Sequence, residues 1–469
     1  MSDRPNFVFI MSDDHAAHAI SAYGSRINQT PNIDRIAADG MRFDSCFCTN
    51  SICTPSRASI LTGTYNHVNG VTTLDTPMDN RLQTYPKLLQ AAGYQTAVFG
   101  KWHLGHGPEH DPTGFDDWIV LPDQGEYHNP EFLTPDGSIV MDGYVTDLIT
   151  DMALGWLEQC DAGRPFALMV HHKAPHRHWE PDARHLSMYE GETIPEPETL
   201  RDDYATRSPA AAAARCRMRD LDELDLKATV PPGLTAEEET SWRYQRYIKD
   251  YLRCVASIDD NVGRLLDALD NAGLVDDTVV VYTSDQGFFL GDHGWFDKRF
   301  MYEESLGMPL LVRYPRLVKA GTRCDAIALN VDFAPTFLEL AGVAIPADMQ
   351  GASLVPLLGG ATPDDWQASM YYRYWMHRDE AHNIWAHYGV RTLRHKLICF
   401  YNDPLAQPGA RGPVDPPAWE LFDLQVDPGE LNNVYHDPAF AGVRHELERE
   451  LTRLQEAVGD TPHPAGSPY

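Results

Sequence analysis

Short apolar runs alternate with longer stretches of helical periodicity along most of the chain. The apolar runs predict buried strands at residues 6–11, 96–99, 166–170, 278–282 and 308–312. Apolar positions at helical spacing predict helices at residues 30–40, 85–93, 144–157, 238–273 and 332–342. Strands that alternate with helices in this way predict an α/β fold, with a large and mostly parallel sheet flanked by helices.

The pattern changes twice. Residues 185–240 are rich in Glu, Asp, Ala and Pro and predict a surface insertion, which could form a lid or an oligomer contact. After residue 360, apolar and polar positions alternate as in antiparallel strands, and residues 443–454 predict a final amphipathic helix. We therefore expect a catalytic domain at 1–360 and a small α+β C-terminal subdomain at 361–469.

Charge and cysteine content narrow the classes of function. The 469 residues include 38 Lys and Arg but 68 Asp and Glu, which gives a formal net charge of −30. This balance argues against nucleic acid and anionic membrane surfaces as partners. The apolar run at 7–11 is too short for a secretory leader or a membrane span, and the eight scattered cysteines, apart from Cys53, predict reduced core thiols. These features predict a cytoplasmic protein.

Polar side chains that can do chemistry follow the predicted strands. Asp13 and Asp14 come after the first strand, Lys101 and His103 after the second, His176 after the third, and Asp285 with Gln286 after the fourth. Since ligands bind at the carboxyl ends of strands in open α/β sheets, we expect these side chains to converge on one rim.

Two groups of candidate metal ligands occur in the sequence. The three aspartates and the Gln286 amide are hard oxygen donors, which suit calcium or magnesium better than zinc. A single aspartate after a strand would more simply be a turn or cap residue. The histidines His171, His172, His176 and His178 offer a zinc site as the alternative.

The segment Cys53-Thr54-Pro55-Ser56-Arg57 predicts the start of a short helix. Pro55 suits the first helical turn, and Gly63 suits the position after the last. Cys53 would lie at the positive end of the helix dipole, with the Arg57 guanidinium about one turn away. That is a favourable place for a nucleophile that meets an anion, whereas a buried structural thiol is the alternative.

This segment, with Ala58-Ser59-Ile60-Leu61-Thr62-Gly63 after it, resembles the signature of the type I, formylglycine-dependent sulfatases of the alkaline phosphatase superfamily. Four further segments match that family in the same order, and the resemblance spans most of the chain. They are Ser12-Asp13-Asp14-His15, Gly100-Lys101-Trp102-His103-Leu104-Gly105, Lys173-Ala174-Pro175-His176, and Ser284-Asp285-Gln286-Gly287 leading to Lys298.

The resemblance implies that a formylglycine-generating enzyme oxidises Cys53 to formylglycine, whose hydrated aldehyde is the nucleophile. It implies one divalent metal, with calcium as the first expectation and magnesium or manganese as alternatives. The metal ligands would be Asp13, Asp14, Asp285, Gln286 and the formylglycine at position 53. The family more often has Asn or His at the position of Gln286, whose carbonyl oxygen can also coordinate.

The remaining roles are also implied by the resemblance. Arg57 and Lys101 would act on the nucleophile and the sulfuryl group, and His103 would take a proton from the nucleophile. His176 or Lys298 would assist the departing alcohol. The expected reaction is hydrolysis of a sulfate monoester, either a sulfated carbohydrate or a small organic or aryl sulfate.

Three other functions remain open at this level: a phosphonate monoester or phosphodiester hydrolase of the same superfamily, a non-catalytic binder of sulfated glycans, and a zinc hydrolase. The sequence also allows a homo-oligomer. His387, Trp179, His106 and His110 are candidate substrate contacts at the rim, with ordinary packing as their alternative role.

Overall fold

The computed structural model describes residues 4–464, and its strands and helices follow the α/β order predicted from the sequence. The strands are β1 (Asn6–Ser12), β2 (Met41–Phe43), β3 (Cys46–Phe47), β4 (Gln95–Lys101), β5 (Asp117–Leu121), β6 (Glu131–Thr134), β7 (Gly137–Val140), β8 (Phe166–His171), β9 (Thr278–Ser284), β10 (Phe289–Leu290), β11 (Phe296–Asp297), β12 (Leu310–Arg313), β13 (Thr322–Cys324), β14 (Ala328–Leu329), β15 (Ser369–Tyr374), β16 (His387–Thr392), β17 (His395–Phe400) and β18 (Ala418–Asp423). The helices are α1 (Pro31–Ala38), α2 (Cys53–Thr62), α3 (Asn66–Asn69), α4 (Tyr85–Ala91), α5 (Val145–Leu157), α6 (Pro209–Ala213), α7 (Glu223–Leu226), α8 (Ala236–Asn271), α9 (Glu303–Leu306), α10 (Phe333–Leu340), α11 (Val355–Leu358) and α12 (Ala441–Val458).

Ten strands form the main sheet, in the order β13-β2-β12-β9-β1-β8-β4-β5-β6-β7. The central strand β1 pairs in parallel with β8 and β9, and β4 pairs in parallel with β8 and β5. Antiparallel pairs occur towards the edges, where β12 joins β9 to β2 and the β6–β7 hairpin follows β5. The predicted large, mostly parallel sheet is confirmed.

Helices flank this sheet and bury its side chains. Phe7 and Phe9 of β1 meet the ring of Phe337 in α10 edge to face, with ring centroids 5.3 and 5.5 Å apart. Such pairs add about 0.5–1.5 kcal/mol to the burial of the rings themselves. The 36-residue helix α8 begins at a Thr235–Glu238 capping box and packs with α1 and α5.

The C-terminal part changes to an antiparallel sheet of four strands, β15-β16-β17-β18, against which α12 packs. Its fully buried Lys396 bridges Glu303 at 2.8 Å and Glu430 at 2.7 Å, which ties this sheet to α9 of the main body. The predicted small C-terminal α+β region is therefore present.

The segment 185–240 has many exposed residues, but parts of it pack against the rest of the molecule. Leu200, Ala210, Cys216 and Leu226 are all buried. The segment also contacts the C-terminal sheet, since the Ser208 amide donates to the Glu420 carboxylate at 2.6 Å. Alanine and acidic residues dominate the segment's composition, so the contacts that bury it could not be predicted from the sequence.

In the described part of the chain, no helix is both long and apolar enough to cross a membrane.

Candidate active site

The ends of β1 and β9 place three carboxylates together. The carboxylate oxygens of Asp13, Asp14 and Asp285 lie within 4.8 Å of one another, and all three residues are buried. This follows directly from the register, because Ser12 pairs with Ser284 in the parallel strands and the aspartates come next. Asp14 has a left-handed backbone, with φ 68°, which redirects its side chain towards this cluster.

Cys53 is the first residue of α2, and every residue of this helix is buried. Its Sγ donates to Asp13 Oδ1 at 3.4 Å, and the candidate ligand atoms of Asp13, Cys53 and His176 lie within 4.8 Å of one another. Burial, with the charge of Asp13 added, raises the pKa of the Cys53 thiol far above its ordinary value. The unmodified thiol is therefore protonated at neutral pH and a poor nucleophile.

Arg57 joins the carboxylate cluster to the end of β4. Its Nε donates to Asp285 Oδ2 at 3.0 Å, and its Nη1 donates to the Lys101 carbonyl at 2.7 Å. Its Nη2 lies 4.0 Å from Asp13 Oδ1. The guanidinium thus fixes Asp285 while leaving part of its donor fork near Asp13 and Cys53.

Two buried lysines complete the charge balance of the cluster. The Lys101 ammonium is paired with Asp13, and Lys298 Nζ donates to Asp14 Oδ2 at 2.7 Å. Burial raises the pKa of Asp14 to about 8 against the opposing charge of Lys298, with Asp13 and Asp285 adding to the rise. For Asp13, burial also favours the neutral form, but the charges of Lys101, His176, Arg57 and Lys298 hold its pKa well below 3.8.

The donor set fits a hard divalent cation. Three crowded carboxylates repel one another, and an ion with two positive charges would relieve that repulsion. The amide nitrogen of Gln286 donates to Asp14 Oδ1, whereas its buried Oε1 has no hydrogen-bond partner. Asp13, Asp14, Asp285 and this amide oxygen are the residues that would hold the ion.

Two histidines border the cluster. His103 has a left-handed backbone with φ 56°, its carbonyl accepts from Thr54 Oγ1 at 2.9 Å, and its Nδ1 has no partner. His176 Nε2 lies 3.8 Å from Asp14 Oδ2, and its Nδ1 lies 2.9 Å from the Arg177 carbonyl. Burial and the nearby Lys101 charge lower the pKa of both imidazoles well below 6.5, so both are neutral at pH 7.

A cavity of about 690 Å³ opens beside His176. Its walls come from the loop after β5, the loop after β8, the segment before α7 and a residue of the C-terminal region. The lining residues are Gln124, Gly125, Glu126, Tyr127, Lys173, His176, Arg177, His178, Glu180, Arg215, Asp220, Asp222, Phe296 and Ala381. The space is large enough for a saccharide, with the carboxylate cluster and Cys53 beyond His176.

The histidines of the zinc alternative do not converge. His176 faces Cys53 and Asp13, whereas His178 faces Asp222 and Asp225. His171 packs edge to face on Phe9 instead. The ligand groups found among residues 4–464 each contain at most one of these histidines, so the geometry favours oxygen ligands at the site.

The predicted rim contacts lie outside the cavity walls. His387 is fully buried, stacks on Tyr372 with centroids 5.5 Å apart, and accepts from the Met301 amide at 3.1 Å. Trp179 is also fully buried and packs against Tyr247. Neither side chain lines the cavity, and aromatic neighbours surround both, so their role as sugar contacts stays a prediction from the sequence.

The two loop histidines are held by local partners. His106 Nε2 lies 2.8 Å from Asp123 Oδ1, and His110 Nδ1 lies 2.8 Å from the Met78 carbonyl. Neither residue lines the cavity.

Sequence reasoning missed several residues of the site. Lys173 belongs to the segment Lys173-Ala174-Pro175-His176 and lines the cavity, although no role for it was predicted. Gln124, which accepts from the Lys101 ammonium, lies on a loop whose strand β5 was not predicted. Tyr251 of α8 donates to the Asp14 carbonyl at 2.7 Å and accepts from the Ala16 amide at 2.9 Å. Its helical spacing predicted only a core position.

The chain matches two known family models. The family model described as "Sulfatase" matches residues 5–343, and "N-sulphoglucosamine sulphohydrolase, C-terminal" matches residues 291–457. The chain belongs to the sulfatase family, and it is a hydrolase of sulfuric esters.

The chain is similar over nearly its whole length to curated and solved relatives. It is 44% identical to the N-acetylglucosamine-6-O-sulfatase of Bacteroides thetaiotaomicron, over 97% of this chain and 87% of the relative. It superposes with a TM-score of 0.92 on the structure of BT4656 in complex with its substrate D-glucosamine-2-N,6-O-disulfate, at 44% identity, over 97% of this chain and 98% of that one.

The phosphonate monoester hydrolase of Agrobacterium radiobacter superposes with a TM-score of 0.76 at 24% identity, over 97% of this chain and 96% of that one. That likeness concerns the fold alone.

Proposed function

We propose that this sulfatase hydrolyses the 6-O-sulfate ester of N-acetylglucosamine or of a closely related glucosamine. The observation that carries the proposal is the Asp13–Cys53–His176 cluster at the end of a cavity of saccharide size, in a chain 44% identical to an N-acetylglucosamine-6-O-sulfatase. The alternative of a non-catalytic glycan binder does not explain a nucleophile position surrounded by acid, base and metal-ligand groups.

The proposal includes conversion of Cys53 to formylglycine by a formylglycine-generating enzyme, and one divalent ion, calcium first, at the three aspartates and Gln286. The formylglycine would supply the nucleophile, and an ion held by these residues would make it more acidic and polarise the sulfate. The raised pKa of the unmodified thiol supports the need for this modification, because a buried thiol that stays protonated cannot attack sulfur.

The chain's own cations bind and orient the sulfate. Arg57, Lys101 and Lys298 bring three positive charges into a buried site whose dielectric is low, where electrostatic stabilisation of a developing charge is strongest. Their charges and N–H groups favour an anion locally, although the chain as a whole carries a net charge of −30. The N-terminus of α2 adds its backbone N–H groups at the same point.

His103 and His176 transfer protons in the proposed reaction. His103, neutral and with a free Nδ1, is placed to accept a proton from the nucleophile. His176 lines the cavity through which the alcohol departs, and Lys298 shares the Asp14 carboxylate with it, since His176 Nε2 and Lys298 Nζ lie 3.8 and 2.7 Å from Asp14 Oδ2. A bound sulfate ester would raise the pKa of His176, because an added negative charge favours the imidazolium, and would so prepare it to act as the acid.

The test uses protein matured with a formylglycine-generating enzyme. Ion chromatography measures the sulfate that it releases from N-acetylglucosamine 6-sulfate. Cys53→Ala is the inactive control. Nitrophenyl sulfate and a nitrophenyl phosphonate ester are compared in parallel. Turnover of the phosphonate above that of both sulfates would replace the proposal with a phosphonate hydrolase, and aryl sulfate turnover without saccharide turnover would refute the saccharide substrate.

Cytoplasmic residence and homo-oligomer formation stay predictions from the sequence. The eight cysteines are free, and seven of them are buried, which is compatible with a reducing compartment.

A further inference from the structure

One buried cation in the cavity wall lacks a counter-ion. Lys173 is 3% exposed and lines the cavity directly beside His176. Its Nζ lies 4.6 Å above the centre of the Tyr127 ring, and its hydrogen bond to the Arg177 carbonyl is long, at 3.4 Å. Among the ion pairs of residues 4–464, none includes Lys173, although a pair needs only 4.0 Å between nitrogen and oxygen.

The other buried and half-buried cations near Lys173 each pair with a carboxylate, whereas Arg215, which lines the cavity and has no ion pair among residues 4–464, is exposed. Lys101 pairs with Asp13, Lys298 with Asp14, and Arg57 with Asp285. Arg177, three residues before Glu180 in the same wall, pairs with Asp225. Lys173 is therefore the buried cation of the cavity wall that has no carboxylate partner, and its ammonium carries three N–H groups that can donate to a ligand.

Burying a charge without a partner is costly, so such a group is usually completed by a ligand. Burial, with the charge of Lys101 added, lowers the pKa of the Lys173 amine to about 8, against the opposing charges of Asp13, Glu126 and Glu180. The amine is still largely protonated at pH 7. A negative charge or oxygen acceptors from a ligand would therefore stabilise the buried ammonium.

The acidic residues that line the cavity do not form an ion pair with Lys173. Asp222 accepts from the Leu224 and Asp225 amides, and Asp220 accepts from the Arg217 amide. Glu126 and Glu180 are partly exposed, so water screens their charges. None of the four lies within 4.0 Å of Lys173 Nζ.

We propose that Lys173 is a specificity-determining residue that binds an oxygen-bearing substituent on the sugar, with an anionic substituent preferred over a neutral one and a cationic one rejected. The proposal rests on the proposed saccharide substrate and names a property of its alcohol part. It predicts that kcat/KM for glucosamine 6-sulfates depends on the charge of the substituent at the amino group. The N-sulfo sugar should have the highest kcat/KM, the N-acetyl sugar the next, and the sugar with a free ammonium the lowest.

The experiment measures kcat/KM for these three 6-sulfates and for nitrophenyl sulfate with the matured enzyme, Lys173→Met, Lys173→Arg and Lys319→Met. Lys319 is exposed and lies outside the cavity, so it serves as the matched control. We expect Lys173→Met to reduce the ratio of kcat/KM for the N-sulfo substrate to kcat/KM for the ammonium substrate on the order of tenfold. Hydrogen bonds to charged groups are worth about that factor or more. Nitrophenyl sulfate turnover should change less than twofold, and Lys173→Arg should restore the order.

An unchanged ratio in Lys173→Met would overturn the proposal, and so would an equal loss on all four substrates, which would place Lys173 at the sulfate or in the scaffold. If no saccharide sulfate is hydrolysed, the substrate proposal fails separately. Lys173 is then judged by inhibition of nitrophenyl sulfate turnover. Stronger inhibition by N-sulfoglucosamine than by N-acetylglucosamine, lost in Lys173→Met, supports its role, and equal or absent inhibition overturns it.

Discussion

Cys53 Sγ lies 3.4 Å from Asp13 Oδ1, a contact between the first residue of α2 and the residue that follows β1. It brings the nucleophile position to the edge of the carboxylate cluster, so that a group at position 53 can share an ion with Asp13. Burial raises the pKa of the thiol, and this contact adds to the rise because a neighbouring carboxylate disfavours a thiolate.

We predict that active protein carries formylglycine at position 53. Mass spectrometry of the peptide that contains Cys53 checks this, and Cys53→Ala should abolish turnover. Cys160→Ala, at a partly exposed thiol away from the site, should leave activity unchanged. A fully active preparation with only unmodified Cys53 would contradict the prediction.

Metal binding should depend on Asp285. Asp285→Asn removes one charge from the cluster and the partner of Arg57, so bound metal and activity should fall together. Since a catalytic ion supplies several kcal/mol, the loss of kcat/KM should be on the order of 10²–10³-fold. Elemental analysis and calorimetric titration with calcium measure binding independently of turnover. Stoichiometric metal and full activity in the variant would disprove the assignment.

Tyr251→Phe should weaken metal binding without unfolding the protein. The lost hydroxyl holds the Asp14 carbonyl and the Ala16 amide, and so supports the left-handed turn that aims the Asp14 carboxylate. Groups that orient metal ligands are typically worth about 10–100-fold in affinity or activity. Tyr247→Phe, one turn away, is the matched control, since its hydroxyl binds the Phe289 carbonyl instead. Equal metal affinity in the two variants would remove Tyr251 from this role.

His176→Ala should slow poor leaving groups more than good ones. A sugar alcohol needs a proton as it departs, whereas an acidic phenol does not, and general acid catalysis contributes about 10²–10⁴-fold where the proton is needed. The measurement is a series of rates against the pKa of the leaving alcohol, for wild type and variant. Arg57→Ala or Lys101→Ala should slow all members equally. An equal loss for His176→Ala at every leaving group would make it a binding residue.

The contribution of His293 to the free energy of unfolding should fall as the pH rises from about 6.5 to 9. Burial alone would lower the pKa of this imidazole, but the hydrogen bond to Asp202 and the Glu304 carboxylate raise it to about 9. A pKa raised in the folded state stabilises it fully below the unfolded value of 6.5, and that contribution disappears as the pH passes 9. Denaturant unfolding should therefore show a cost for His293→Gln that is largest near pH 6 and shrinks by pH 9. A cost independent of pH would contradict it.

Local patterns in the sequence predicted much of this molecule. The buried runs predicted β1, β4, β8, β9 and β12, and helical spacing predicted α1, α4, α5, α8 and α10, with each bound shifted by at most two residues. Pro55 and Gly63 predicted the ends of α2 because proline and glycine have local backbone preferences, and Gly63 indeed takes φ 66°. The motif residues could be named from the sequence, since each follows a strand or opens a helix.

Only the tertiary structure decided which of these residues meet and what surrounds them. The register of β1 with β9 brings Asp14 to Asp285, 271 residues apart in the chain, and a sequence pattern carries no information on such pairing distances. His387 and Trp179 are predicted as rim residues because aromatic side chains serve both cores and sugars, and only the structure shows that both are buried. The unpaired state of Lys173 likewise depends on where every other charge lies, which no local pattern contains.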